Sequence, residues 1–247
     1  MLPQTDILLV IAGAFVLGGL VKGLIGGGLP SIVVPIMAVV VDPAYAAAVT
    51  LIPVAATNIW QAFDGKKLTV VFRRFWFYLL PLSIGVGVGS QILVGLPPEI
   101  AALLIGIVVI LLSPIPLISR RLQISPEREL TLHPIIGAGT GLLGGATVIF
   151  TPTLIYFAAL RLDKDLYVAV AAVAAICCMV PLYLGLGFSE TLNGETMRFS
   201  TLLLVPTLMG YFIGRALRGT VSQRSFQLLL TASLVFVGLG LVYKGLA

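Results

Sequence analysis

Long runs of apolar residues follow one another along this chain, and polar residues gather in the short breaks between them. About 20 apolar residues suffice for one helical crossing of a bilayer. On that measure the pattern predicts eight segments, at 6–41, 44–63, 74–95, 99–118, 133–160, 165–187, 199–217 and 225–243. Six of them suit a single crossing. The first and the fifth are longer and are interrupted, by "KGLIGGGLP" at 22–30 and by "GLLGG" at 141–145. Consecutive glycines and a proline oppose a continuous helix, so each of these two segments is expected to fold as a broken helical hairpin.

The two halves of the chain resemble each other. "GLIGG" at 23–27 pairs with "GLLGG" at 141–145. Downstream, Arg73, Leu79, Pro81, Gly85 and Gly89 match Arg198, Leu204, Pro206, Gly210 and Gly214 at a constant spacing of 125. A duplication is therefore expected, with residues 1–124 as the first repeat and 125–247 as the second, together forming one integral membrane domain. Glycine-interrupted segments at matching positions of two halves point to a transporter's binding site.

Composition agrees with the pattern. Residues are 59% hydrophobic and only 10% charged, whereas a soluble domain carries about 25% charged residues. The net charge of +5 does not call for a nucleic-acid partner, because the basic residues sit in short loops, as the positive-inside rule requires. No Lys or Arg precedes Lys22, so no cleaved signal peptide is expected. Cys177 and Cys178 are adjacent within an apolar run, which suits neither a disulfide framework nor a metal site. No cofactor and no metal are expected.

Charge also selects a topology. If each of the eight segments crosses once, Lys and Arg divide nine against five between the two sides. If the first and fifth segments return to the side they entered from, the division becomes twelve against two, with Arg198 and Lys244 on the minor side. The second arrangement fits the positive-inside rule better. The arms around "GLLGG" are read as 10 and 14 residues, too short to span a core of about 30 Å. Each half is then a re-entrant hairpin plus three crossings. Three is odd, so the halves are inverted. Cytoplasmic loops are expected at 64–73, 119–132, 161–164 and 218–224, with both termini outside. The first arm of the first segment is nevertheless long enough to cross.

The hairpin tips carry the candidate chemistry. Each places a new helix start, at about Leu29-Pro30 and about Thr147, near mid-membrane. The first amides of a helix lack intrahelical acceptors, and with the macrodipole they attract an anion. Glycine lets a ligand approach that backbone closely. Candidate substrate-binding residues are Lys22, Gly26, Gly27, Gly28, Ser31, Asn58, Gln61, Gly144, Gly145, Thr147 and Thr151. Arg73 and Arg198, at matching helix starts, are candidates for a gate or vestibule. His133 reads as an interfacial structural residue, and no carboxylate falls deep within a segment. The bland reading of each glycine cluster is close helix packing.

At these residues the chain resembles the sulfite exporter TauE/SafE family of membrane transporters. The resemblance rests on a "GFxxGxxGxGGG…P"-like pattern. Here it reads Gly18-Gly19-Leu20-Val21-Lys22-Gly23-Leu24-Ile25-Gly26-Gly27-Gly28, followed by Pro30 and Pro35. A second copy runs Gly137-Ala138-Gly139-Thr140-Gly141-Leu142-Leu143-Gly144-Gly145, followed by Pro152. "DPAYAAAVTL" at 42–51 is similar to the helix that follows the family's first hairpin. The resemblance implies transport of sulfite, sulfonates such as sulfoacetate, or related small anions. In two places the chain departs from the pattern, at Ala146 in place of a third glycine and at Lys22.

The functional expectation is a secondary transporter of a small anion in the inner (plasma) membrane, with the lipid bilayer as its other partner and a homo-oligomer as one arrangement. An anion channel of the same architecture and a non-transporting assembly subunit are the alternatives. Catalysis is not expected, since one histidine and no buried acid offer no nucleophile–base pair or metal-ligand set.

Overall fold

A computed structural model describes residues 4–64, 67–118, 122–187, 191–217 and 223–246. Lys66, Arg120, Arg121 and Arg218, which enter the charge bias, and Glu190 lie outside the described residues. The described residues form helices and no strands. Seven helical stretches are long and apolar enough to cross a membrane, so this is a polytopic membrane protein.

The first long segment is two helices. α1 (Gln4–Ile25) carries Asp6 in its first turn and Lys22 in its last, the arrangement the helix dipole favours. It stops at Gly26, whose φ of +88° is repeated at Gly28. Only glycine adopts that backbone without strain, so these two residues reverse the chain. α2 (Leu29–Ala38) then starts with Pro30 in its first turn, where the missing N–H is no loss. α1 has 22 residues, about 33 Å of helix, whereas α2 has 10 residues, about 15 Å.

The segment expected at 44–63 is broken. α3 (Pro43–Ala48) begins at Asp42, whose carboxylate accepts the Tyr45 amide, and α4 (Leu51–Asp64) follows after a turn. Pro53 in the first turn of α4 has no amide to offer the carbonyl of Val49. Ser200 takes over: its hydroxyl donates to Val49 O at 2.8 Å and accepts from Ile52 N at 3.0 Å.

α5 (Leu68–Gly95) begins six residues ahead of the expected start. α6 (Pro98–Leu112) and the short α7 (Ile115–Ile118) share the segment expected at 99–118. α8 (Pro126–Thr147) differs most from expectation, beginning seven residues before 133 and continuing through Gly144 and Gly145. Pro126 in the first turn and the acids Glu127 and Glu129 suit a helix N-terminus, which extends it beyond the apolar run. The arm expected to be 10 residues long is thus 22. The break falls at 148–150, with Val148 at φ 59°, and α9 (Thr151–Ala159) returns. Thr147 ends α8 and does not begin the next helix. The chain closes on itself, because Ile124 N donates to Ala159 O at 3.0 Å. α10 (Lys164–Gly187), α11 (Gly194–Leu217) and α12 (Gln223–Leu246) complete the chain.

The packing is reciprocal. α1 lies on α11 and α8 lies on α5; α4 contacts both α10 and α11, α10 contacts α5, and α6 pairs with α12. Gly19 and Gly23 of α1 abut the backbone of Thr207 and Tyr211, while Gly141 and Gly145 of α8 abut that of Leu82 and Val86. Conversely, Gly210 and Gly214 of α11 meet Val16 and Leu20, and Gly85 and Gly89 of α5 meet Ala138 and Leu142. These equivalent contacts place α8 residues 122 positions after α1 residues, not the 118 of the "GLIGG"/"GLLGG" match. In the packed register, Gly144 stands where α1 has Lys22.

One end of the bundle gathers opposite charges. Arg74 makes a two-pronged pair with Glu129, Nε–Oε1 and Nη2–Oε2 both at 2.8 Å. Lys67 meets Asp163 at 2.9 Å, and the Leu166 amide, together with Lys67, holds the Asp163 carboxyl below the usual carboxylate range. At the other end, Lys244 Nζ donates to the carbonyls of Ala38 and Val41. The Glu129 side chain is 9% exposed and Arg74 41%. Glu129→Gln is therefore expected to cost about 1–2 kcal/mol, less than a fully buried pair because Arg74 reaches water. Lys67→Gln at the exposed pair is expected to leave stability unchanged. Thermal unfolding of the two variants in one detergent checks both.

Candidate functional site

The two breaks meet. Ser31, third residue of α2, accepts the Phe150 amide at 3.0 Å through its hydroxyl. A Cβ on Gly27 would stand 3.2 Å from the Leu154 side chain of α9. Pro30-Ser31 and Pro152-Thr153 occupy equivalent places at the starts of α2 and α9.

Around this junction lies a cavity of about 630 Å3, its mouth included. Lys22, Gly27, Gly28, Ser31, Asn58 and Thr153 line its polar side. Lys22 is 2% exposed, and its ammonium donates to Asn58 Oδ1 at 2.7 Å. Asn58 is held in turn by Nδ2 donating to Val54 O at 2.8 Å. Among the described residues Lys22 has no carboxylate partner, and no acid lines the cavity. A buried charge is costly unless it is paired or in a wet site, and the polar partner the described residues give Lys22 is the Asn58 amide. With one proton engaged by Asn58, the ammonium keeps two for another acceptor.

Hydrogen bonding separates the tips. At the second break Phe150 N is bound by Ser31, Ile149 N by Thr147 Oγ1 at 3.3 Å, and Val148 N by Gly144 O. Those amides are occupied. The first turn of α2 has no side-chain cap, and Gly28, its N-cap, lines the cavity. The first turn of α9 likewise has no side-chain cap, and of the two tips the first is the one that stands beside Lys22.

The predicted residues divide accordingly. Lys22, Gly27, Gly28, Ser31 and Asn58 are brought together on the cavity wall. Gly26 shapes the turn behind it. Gln61 is buried one turn beyond Asn58, its Oε1 without a partner among the described residues. Gly144, Gly145, Thr147 and Thr151 do not line the cavity, because the second break begins only at Val148. Gly145 packs on α5 and Gly144 holds the Phe150 ring. The Thr147 hydroxyl donates back to Leu143 O. Arg73 and Arg198 are exposed and form no ion pair among the described residues; the neighbouring Arg74 makes the pair instead.

Three further contributors went unmarked in the sequence. Thr153 lines the cavity and accepts from Tyr78 OH at 3.1 Å. "LPS" at 29–31 against "TPT" at 151–153 is the signal that could have found it. Tyr183 lines the cavity with its hydroxyl 2.9 Å from Thr50 Oγ1. Glu129, expected in a loop, is buried in the first turn of α8 with its Oε1 3.4 Å from His133 Nε2. His133 is wholly buried among the rings of Phe75, Tyr78 and Tyr156. An aromatic and hydroxyl trail thus leads from the Arg74–Glu129 pair to Thr153.

The described residues thus combine seven helices apolar and long enough to cross a membrane with a cavity lined by one buried lysine. The chain belongs to the sulfite exporter TauE/SafE family, whose family model matches residues 10–241. It is a multi-pass membrane protein of a transporter family, not of an enzyme family. No curated protein and no solved structure matches the chain.

Proposed function

We propose that the protein is a secondary transporter that carries a small sulfur-containing anion, sulfite or an organosulfonate, across the plasma membrane by alternating access. The observation that carries this reading is Lys22, buried at the cavity wall with an amide partner and no acid. An anion seated there completes the charge balance and meets the uncapped first turn of α2. Ser31, Asn58 and Thr153 complete the polar shell.

The two halves are read as inverted repeats, residues 1–124 and 125–247, that share the cavity between their breaks. The reciprocal α1–α11 and α8–α5 packing supports this reading, as does closure of the second hairpin by Ile124 and Ala159. The end holding Lys67, Arg74 and Asp163 is then cytoplasmic and both termini lie outside. On this topology a cysteine placed at Lys164 reacts with an impermeant maleimide only from the cytoplasmic side; labelling from outside would overturn it.

The functional test is counterflow in proteoliposomes with sulfite, methanesulfonate and sulfoacetate. Saturable uptake accelerated by internal anion is expected, and conductive flux without counterflow would make the protein a channel. If none of the three anions binds or moves, the site assignment falls.

A further inference from the structure

Behind the cavity the fold buries a titratable cluster that the anion site does not use. His133 of α8 is wholly buried, and among the described residues neither of its ring nitrogens has a hydrogen-bond partner. Nε2 stands 3.4 Å from Glu129 Oε1, one turn earlier on the same helix. Tyr156 of α9 lies edge-on to the imidazole, and its buried hydroxyl is also without a partner among the described residues. The large majority of buried side-chain polar atoms are hydrogen-bonded, so three unpaired ones in a single cluster require an explanation. A neutral imidazole keeps one nitrogen as an acceptor, and here that acceptor is left open beside a carboxylate.

The charges around that nitrogen are balanced. Arg74 of α5 holds both oxygens of Glu129, and each carboxylate oxygen has a second lone pair to offer. Tyr78 of α5 and Tyr156 of α9 face the imidazole, Asp163 lies near Arg74, and Cys178 of α10 lies near Tyr78. α6, which also touches α8, adds no titratable contact to the ring among the described residues. Arg74, Glu129 and a neutral imidazole sum to zero, and the Lys67–Asp163 pair beside them is balanced as well. A proton taken from water onto Nε2 forms an imidazolium that donates to Glu129 Oε1, and the cluster then carries one net positive charge. Histidine is the side chain whose charge changes near neutral pH. A net charge in an aromatic enclosure is costly until an opposite charge compensates it.

α9 joins this cluster to the cavity. Tyr156 and Thr153 share one face of that helix, three positions apart. Thr153 lines the cavity and accepts from Tyr78 OH, and Tyr78 stacks on Tyr156 with ring centroids 5.1 Å apart. The rings that enclose His133 therefore also hold the start of α9 at the anion site. Resting on that site as proposed above, we infer that Glu129 and His133 form a proton-binding site and that the protein carries a proton together with its anion. The proton supplies the positive charge that the anion offsets, so each raises the affinity for the other, reciprocally as linkage requires. Arg74 reaches water at the end read as cytoplasmic, and in this conformation the proton enters from there.

The test uses the full-length protein in proteoliposomes held at zero membrane potential, with methanesulfonate, which stays ionised and brings no proton of its own. With acid outside and alkali inside, the anion is expected to accumulate, because one proton per anion supports up to about tenfold accumulation for each pH unit of gradient. A pH-sensitive dye in the lumen is expected to report acidification as the anion enters. His133→Asn and Glu129→Gln are each expected to erase the accumulation, so that the ratio of gradient-driven uptake to counterflow at equal pH falls to its value without a gradient. A structural defect would lower both fluxes together and leave that ratio unchanged, which overturns the assignment to these two residues. Accumulation that survives both substitutions overturns it too, and where one variant fails to fold the other decides. Wild-type counterflow without accumulation or acidification overturns proton coupling and leaves the anion site standing. Absence of counterflow with every anion removes the site and the inference together.

Discussion

Lys22→Met is expected to weaken methanesulfonate binding at least about 100-fold while the folded protein holds or gains stability. Two unit charges about 4 Å apart interact by about 4 kcal/mol at the effective dielectric constant of about 20 that suits protein sites. Even half of that accounts for a factor of roughly 30, and the lost charge-assisted hydrogen bond adds about 1.5–3 kcal/mol. The stability side of the prediction separates a binding lysine from a structural one. Lys22 is 2% exposed and its partner among the described residues, Asn58 Oδ1, is neutral. Methionine has a similar length, carries no charge to bury, and packs into irregular gaps. A structural lysine would lower the unfolding temperature when removed, whereas a binding lysine held at a cost to the fold would not. Lys22→Arg keeps the charge and is expected to retain measurable binding, reduced because the planar guanidinium is bulkier than the ammonium. Titration and thermal unfolding of the three proteins read both effects. Unchanged affinity in Lys22→Met would remove this residue from the site.

Gly145→Val is expected to prevent recovery of folded protein, and Gly141→Val to do the same. A Cβ at Gly145 would meet Val86 O and, at 2.9 Å, Gly89 Cα; at Gly141 it would meet Leu82 O. These are backbone atoms of α5 and cannot swing away as a side chain can. The two helices would have to separate, losing the close packing that drives helix association in lipid, where no hydrophobic gain replaces it. Gly139 lies two residues from Gly141 on the same helix, and a Cβ there meets nothing within 4 Å. Gly139→Ala is therefore expected to be neutral or slightly stabilising through helix propensity. Gly27→Val falls between these cases. Its added Cβ meets the Leu154 side chain at 3.2 Å, which can shift, so that variant should insert and fold while its cavity is obstructed. Size-exclusion profiles of the detergent-solubilised variants separate the folded from the unfolded proteins, and methanesulfonate titration of Gly27→Val beside Gly139→Ala reads the obstruction.

The contrast between Gly27 and Gly145 shows where reading from the chain stops. Both sit in glycine clusters inside apolar runs, and both answer the same pattern. Gly27 lies between two residues of φ +88° at a true helix reversal and lines the cavity. Gly145 is an ordinary helical residue whose missing side chain admits a neighbouring helix. Local composition cannot separate a break from a packing groove, because glycine serves both by having no Cβ. The outcome depends on which helix arrives opposite, and α5 comes from a distant part of the chain. The start of α8 shows the same limit. Apolar length marked 133, but Pro126 and the acids of the first turn carry the helix further, and pairing of Glu129 with Arg74 requires α5 beside it.

The amino-acid sequence by itself determined that this chain lives in a bilayer, that it breaks near Gly26–Gly28, that Lys22 stands at that break, and that its halves echo each other. Those properties follow from hydrophobic length, from backbone conformations open only to glycine, and from repeated residues at constant spacing. Only the tertiary structure decided that the second break starts at Val148, that the amides of Val148, Ile149 and Phe150 are already bound, and that Lys22 meets Asn58 at the cavity wall. Each of those results depends on contacts between segments far apart in sequence, and such contacts leave no periodic trace along the chain.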